Sequence, residues 1–430
     1  EAPIVKAVSL EQVFDNFSGG MRDPVAIRNY LKFLYDTHVE GIEPDLGYVL
    51  LMGNGTYDTR DILGTGNDKL PLYMKIYVLD VVEDDHYFAR LDEGDDRLID
   101  LSIGRMTVLT AEEATGWVNS IIDYESGEDQ GTWRNRVVLV ADDEFSASGD
   151  CDFGFTVDTE EMVTTKALLP GFFDIKKIYL HDYPFVGDLK PGATSDLLAQ
   201  WNAGALIINY TGHGSPQQMA DERVMQKSDV YSLRNENRKP LFLAFSCSVG
   251  DIESPYQRSI SQELLVRESG GAIATITGTG GTFGPQNELL SNSLVDRLFT
   301  SYDSTGTIPV GTALMLAQSC CTSFQENSAK YLLLGDPALT LAVPKYVVEY
   351  DATAVDTLFT GTRYRIEGRI TSGGTTLDTF NGSADILVQE SQEHVVDGPF
   401  NCFTLIGDLV YDLPGKAIFR GTVDVTGGTF

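Results

Sequence analysis

Two apolar runs constrain this chain more than any other feature, Ala205-Leu206-Ile207-Ile208 and Leu241-Phe242-Leu243. Neither alternates with polar residues, and helical patterns flank both. A short continuous apolar run of this kind reads as a strand buried on both faces, inside a parallel sheet covered by helices. The first run leads into Asn209-Tyr210-Thr211-Gly212-His213-Gly214-Ser215 and the second into Ala244-Phe245-Ser246-Cys247. Functional groups in such sheets gather at the carboxyl ends of the strands. His213 and Cys247, 34 residues apart, are therefore expected to meet in one crevice.

The remaining signals extend this α/β reading. At 430 residues the chain exceeds a single core and suggests two or three domains. Residues 1–131 form the first expected unit, an N-terminal α/β subdomain. Asp23 before Pro24 caps a helix carrying Ile27, Tyr30, Leu31, Leu34 and Tyr35, and Tyr48 to Met52 reads as a strand. Thr110 with Glu113 forms a capping box for a helix through Val118, Ile121 and Ile122. Residues 132–344 form the second α/β subdomain, the catalytic one. Its expected strands are Val137–Val140, Ile175–Leu180, Leu206–Asn209, Leu241–Phe245 and Ala272–Ile276, with helical patterns between them, which implies a parallel sheet. From about Pro344 the pattern becomes short β-rich runs separated by Gly, Asp, Asn and Thr. Residues 345–430 are expected to be an Ig-like β-sandwich without chemistry of its own.

Charge excludes some functions. The chain carries 63 acidic and 31 basic residues, a net charge of −32, and so would repel nucleic acid and anionic membranes. The five cysteines show neither CxxC spacing nor a zinc pattern, and Cys320-Cys321 read as core packing within a helix. No apolar run approaches the roughly 20 residues that span a bilayer. The chain opens on Glu1-Ala2-Pro3 without Met or signal peptide, so it reads as a processed product or an excised fragment.

A cysteine nucleophile needs an imidazole that takes its proton. Of the five histidines, His38 falls late in a helix, His86 in an acidic loop, and His181 and His394 beside acidic residues at the surface. His213 alone stands at a strand end between glycines. The amides of Gly214 and Cys247 are then suited to a developing oxyanion. The competing readings are a buried structural cysteine with a packed histidine, and a metal site, for which further ligands are lacking. An orienting acid is expected from Asp142-Asp143, which ends a strand of the same sheet; Asp143 is the first choice and Asp142 the second. The alternative is two acids in a solvated loop.

These motifs carry a family resemblance. "NYTGHGS" followed by "AFSCSVGD" resembles the gingipain-type cysteine peptidases over about residues 45–344. "DDHYFARLDEGDDRLIDLSIGRMTV", "SISQELLVRESGGAIATITGTG" and "LLLGDPALTL" are similar to the sortase branch of that family, which serves the type IX secretion system of Bacteroidetes. The resemblance implies a caspase-like fold, with Cys247 as nucleophile, His213 as general base and acid, Gly214 as oxyanion donor and an acid matching Asp143. It also implies cleavage of C-terminal sorting domains from secreted cargo, with transfer of the acyl group to a lipopolysaccharide amine. The partners would then be cargo proteins and other secretion-system subunits, at the outer membrane or cell surface. No cofactor is required on this reading. Structural calcium, as in gingipain relatives, is expected at Asp84 and Asp85 or at the acids of residues 92–96, with Arg105 pairing one of those acids. Asp158 is the candidate for the specificity pocket, and the "GTGGTFGPQN" loop lacks the tryptophan of the trypsin-like members. The alternatives are a secreted gingipain-like endopeptidase and a non-catalytic surface scaffold of the same fold.

Overall fold

The computed structural model describes residues 4–37, 46–77, 80–94, 97–127, 131–143, 154–300, 307–320, 325–344, 346–350, 361–401 and 406–430. His38, Asp95, Asp96, Cys151, Cys321 and Cys402 lie outside them, as does the side chain of Cys320. One eight-stranded sheet organises the rest. Its strands, in chain order, are β1 (Tyr48–Met52), β2 (Ser102–Met106), β3 (Arg136–Ala141), β4 (Asp174–Tyr179), β5 (Ile207–Thr211), β6 (Leu241–Phe245), β7 (Ala274–Gly278) and β8 (Tyr331–Leu334). Across the sheet they run β1-β2-β8-β7-β6-β5-β3-β4.

Alternate residues of these strands enter opposite cores, as the two-residue side-chain period requires. Val137, Leu139, Ile207, Leu241, Leu243 and Ile276 face one core with Leu290, Leu294 and Leu298 of helix 284–300. Val138, Val140, Ile208, Phe242 and Ala244 face the other with Leu197 and Trp201 of helix 191–203 and Ile260 and Leu264 of helix 260–266. Burial on both faces explains why these strands read as unbroken apolar runs.

The sheet departs from the all-parallel expectation at β8, which pairs antiparallel with β7 and parallel with β2. Three helices, Gly284–Thr300, Val310–Cys320 and the short Gln325–Ser328, lie between β7 and β8. β8 also joins β1 and β2 to the five strands that follow residue 132.

Two expected helix starts form with their caps. Asp23 Oδ1 accepts the Val25 N–H at 2.9 Å at the head of helix 24–37, and Thr110 accepts the Glu113 N–H at 3.2 Å at the head of helix 111–126. The regular elements among the described residues after 345 are all strands, with Gly382–Gln389 paired to Ala417–Val425 and Glu393–Asn401 paired to Ile406–Leu413. Leu409 and Tyr411 of the second pair pack on Ala141, Phe155 and Tyr179.

Arg105 ties the β2 strand to the N-terminal segment. Its fully buried guanidinium makes two bonds to Asp85, at 2.6 and 2.7 Å, and donates to the carbonyls of Gly53 and Leu70 at 3.0 Å each. Removing one partner of a buried pair leaves the other charge without compensation. Arg105→Met should therefore destabilise the protein by about 3–5 kcal/mol in denaturant unfolding; a loss below about 1 kcal/mol, the range of an exposed pair, would show that the pair is not buried as described.

Candidate active site

The register of three parallel strands assembles the site. Ala141, Thr211 and Phe245 sit side by side as the last paired residues of β3, β5 and β6. Asp142-Asp143, Gly212-His213 and Ser246-Cys247 therefore leave the sheet together. An added Cβ at Gly214 would lie 2.6 Å from Val249 Cγ2 and 3.2 Å from the Cys247 carbonyl oxygen. Only glycine lets the backbone after His213 approach Cys247 this closely.

Cys247 is a free, half-buried cysteine. Its Sγ accepts the Thr282 N–H at 3.3 Å and lies 3.7 Å from both the Thr282 carbonyl oxygen and Oγ1. The chain turns sharply after it, with Ser248 at φ 51° in the left-handed region. Ser248 N–H donates to Gly280 O at 3.0 Å and Gly250 N–H to Gly278 O at 2.8 Å, so the loop after β7 braces that turn. A non-glycine residue in this conformation costs on the order of 1 kcal/mol and persists only where its surroundings impose it.

His213 is exposed at the strand end, with its ring edge-on to Phe155 at a centroid distance of 5.2 Å. Its backbone is pinned at both ends. Asp142 Oδ2 accepts its N–H at 2.8 Å, while its carbonyl accepts from Tyr210 OH at 2.5 Å and Ala220 N–H at 2.9 Å. Among the described residues the imidazole hydrogen-bonds neither to the thiol nor to a carboxylate. Such bonds are often long in a substrate-free site and tighten when substrate binds.

The two acids after β3 are buried rather than solvated. Asp142 serves the main chain of His213, and burial pushes its carboxyl well above the usual range. Asp143 is ion-paired with buried Lys190, which also donates to Leu180 O at 2.9 Å. Asp142, Asp143 and Glu222 offer carboxylate oxygens within 4.8 Å of one another, and Lys190 is the cation among them. Asp158 lies half-buried on helix Gly154–Val163, the helix that presents Phe155 to His213. Gly214 opens a two-residue ribbon paired with Met219.

Of the acids considered for calcium, Asp84 and Asp85 carry guanidinium partners. Asp84 holds Arg90 at 2.8 Å, and Asp85 holds Arg105. Both are buried, so a calcium ion there would have to displace two buried ion pairs. His86, expected in an acidic loop, lies in the short helix Asp85–Ala89 and is buried, its Nε2 3.0 Å from Tyr331 O, and burial lowers its pKa. His181 and His394 pair with Asp397 and Asp412 at 2.7 and 2.8 Å, His181 half-buried and His394 exposed.

This is the arrangement of a cysteine peptidase on a caspase-like α/β sheet. The chain belongs to Peptidase family C25, whose model matches residues 3–342. Gingipain R2 of Porphyromonas gingivalis is 25% identical over 228 residues, which cover 53% of this chain and 26% of that protein. The chain thus spans about a quarter of that relative's length. The crystal structure of the Arg-specific cysteine proteinase gingipain R superposes with a TM-score of 0.58 at 17% identity, covering 96% of this chain and 90% of the other. Latent PorU from Porphyromonas gingivalis matches with a TM-score of 0.43 at 18% identity, over 98% of this chain and 36% of the other.

Asp142, the second choice for orienting the imidazole, instead holds the His213 main chain, and one residue, Thr282, escaped the sequence reading. Thr282 was invisible because its contribution is a backbone N–H. Burial already pushes Asp142 toward its neutral form, so Asp142→Asn, which keeps an acceptor oxygen, should leave kcat/KM within a few-fold of wild type. Asp142→Ala frees the His213 backbone and should lower kcat/KM on a denatured protein substrate by roughly 10²-fold, the scale of a misplaced catalytic group. Equal effects from both variants would remove Asp142 as the anchor.

The segment after Cys247 also sets a pH dependence. Glu83 is buried with its Oε1 on the Ile252 N–H at 2.9 Å, and burial and Asp251 push it well up. Burial, then Asp251 and Asp80, push Glu253 to about 7. Carboxyls raised in the folded state bind protons more tightly there than in the unfolded chain. Their stabilisation is present below the ordinary carboxyl range and is lost as pH rises through about 7. The thermal midpoint should fall between mildly acidic and mildly alkaline buffer, and Glu253→Gln should flatten that fall. A midpoint that rises over the same interval would contradict the assignment.

Proposed function

We propose that the chain cleaves a C-terminal sorting domain from secreted cargo and passes the acyl group to an amine. This is the sortase activity of PorU-type members of the type IX secretion system. The observation that carries the chemistry is the shared register of β5 and β6, which sends His213 and Cys247 out of the sheet side by side. The sortase branch rests on the sequence motifs quoted above.

In the proposed reaction His213 takes the thiol proton and the Cys247 sulfur attacks the scissile carbonyl carbon, forming a C–S bond. The carbonyl electron pair moves to oxygen, where the backbone amides of Gly214 and Cys247 stabilise it. The tetrahedral species collapses, the C–N bond breaks, and the His213 proton goes to the departing amine of the sorting domain. The cargo is left as a thioester on Cys247. An incoming amine, that of lipopolysaccharide in this reading, attacks the thioester, gives its proton to His213 and expels the thiolate. Water in place of the amine gives hydrolysis. Every proton and electron pair is carried by side chains of the chain, so the scheme needs no cofactor. Action at the outer membrane or cell surface, beside other secretion-system subunits, belongs to the same proposal. No helix among the described residues is long and apolar enough to cross a membrane.

The products decide between sortase and endopeptidase. Incubation with a cargo peptide ending in a sorting domain, with and without lipopolysaccharide, should yield an amide-linked product by mass only when the amine is present. Free acid alone in both reactions would assign a gingipain-like endopeptidase. Cys247→Ala should abolish both products while leaving the fold intact; turnover by that variant would overturn the nucleophile assignment and the reading with it.

A further inference from the structure

We propose that Asp80 and Lys330 are positioning residues for the Cys247 thiolate, acting through the single peptide group between Gly281 and Thr282. The proposal rests on the reading of Cys247 as nucleophile. The N–H of that peptide is the one that donates to Cys247 Sγ at 3.3 Å. Its carbonyl oxygen, on Gly281, accepts from Lys330 Nζ at 2.7 Å. Lys330 is buried and lies 2.8 Å from Asp80 Oδ1, while Asp80 Oδ2 accepts the Gly281 N–H at 2.6 Å. One ion pair thus holds the amides on both sides of Gly281 and fixes the direction of the Thr282 N–H.

Charge and geometry act together. An ammonium on the carbonyl end of an amide polarises it, which strengthens the N–H at the other end as a donor. A stronger donor favours the anionic form of its acceptor, here the thiolate. Lys330 can therefore stabilise negative charge on Cys247 without touching it. The clamp comes from far away in sequence. Asp80 belongs to the turn between Met74–Ile76 and Val81–Glu83, closed by the Tyr77 N–H on its carbonyl at 2.8 Å. An added Cβ at Gly280 would lie 2.5 Å from both Asp80 Oδ2 and Val82 Cγ1, so glycine is needed there for the turn to reach the loop.

Other contacts hold the loop without reaching that amide. Phe283 N–H donates to Asn327 Oδ1 at 2.8 Å, Asn327 to Asn287 Oδ1 at 2.9 Å, and Asn287 to Thr282 Oγ1 at 3.0 Å. They can keep the loop folded when the ion pair is removed, so a loss of polarisation can be told from a loss of structure.

The test reads the thiol directly. The rate of Cys247 alkylation is followed by mass on its own peptide, at near-neutral pH and at an alkaline pH where thiols ionise regardless of surroundings. The ratio of the two rates is then compared across variants. Lys330→Met should lower that ratio about tenfold, the size of one hydrogen bond to a charged group. Lys330→Arg should recover most of the loss. Gly280→Ala, which displaces Asp80 without altering either charge, should lower the ratio in the same direction. A variant that is merely less stable would not change it. Ratios equal to wild type in both Lys330→Met and Gly280→Ala would overturn the clamp, even if Cys247→Ala is inactive. Because the readout needs no turnover, continued cleavage by Cys247→Ala would sink the proposed function while leaving the clamp measurement to stand by itself.

Discussion

The site depends on strand register. β3, β5 and β6 are parallel and in step, so Ala141, Thr211 and Phe245 end in one row. A slip of one residue in any of these strands would turn its side chains to the opposite core. Both cores are packed, with Leu243 and Ile207 on one side and Ala244 and Ile208 on the other. The hydrophobic packing that stabilises the sheet therefore also aligns His213 with Cys247. The glycine after His213 lets the main chain pass close to Val249 and the Cys247 carbonyl.

Around that frame, buried ions occur with partners. Arg105 holds Asp85, Lys190 holds Asp143, Lys330 holds Asp80 and Lys177 holds Glu160 at 2.7 Å. Each is costly to break, because the orphaned charge would remain in a poorly solvated place. Two of these pairs flank the reactive strand ends, Lys190–Asp143 after β3 and Lys330–Asp80 beside the loop after β7. In a chain with net charge −32, basic groups are scarce, and Lys190 and Lys330 stand beside the chain that leaves β3 and β7.

The sequence exposed the strands and their ends because period and burial are local properties. Apolar runs at Ile207 and Leu241 mark strands covered on both faces, and glycines flanking His213 mark a close approach. The reversal of β8 was not legible, since it is fixed by pairing with β7 and β2, segments far from each other in sequence. The partners of the acids were not legible for a related reason, apart from the expected pairing of Arg105 with one of them. Asp84 and Asp85 read as calcium ligands and Asp142 and Asp143 as acids at a strand end, and each is buried against a partner between 6 and 71 residues away: Arg90, Arg105, the His213 backbone and Lys190. The contribution of Thr282 is a main-chain N–H, for which side-chain identity carries no signal.

The central claim is that His213 governs the reactivity of Cys247, and the most direct measurement is the alkylation of Cys247 in His213→Ala. The account predicts that removing the imidazole slows alkylation near neutral pH by about tenfold or more relative to alkaline pH, as expected when a thiolate loses its charge partner. Identical pH dependence in wild type and His213→Ala would show that the two strand ends meet without acting together.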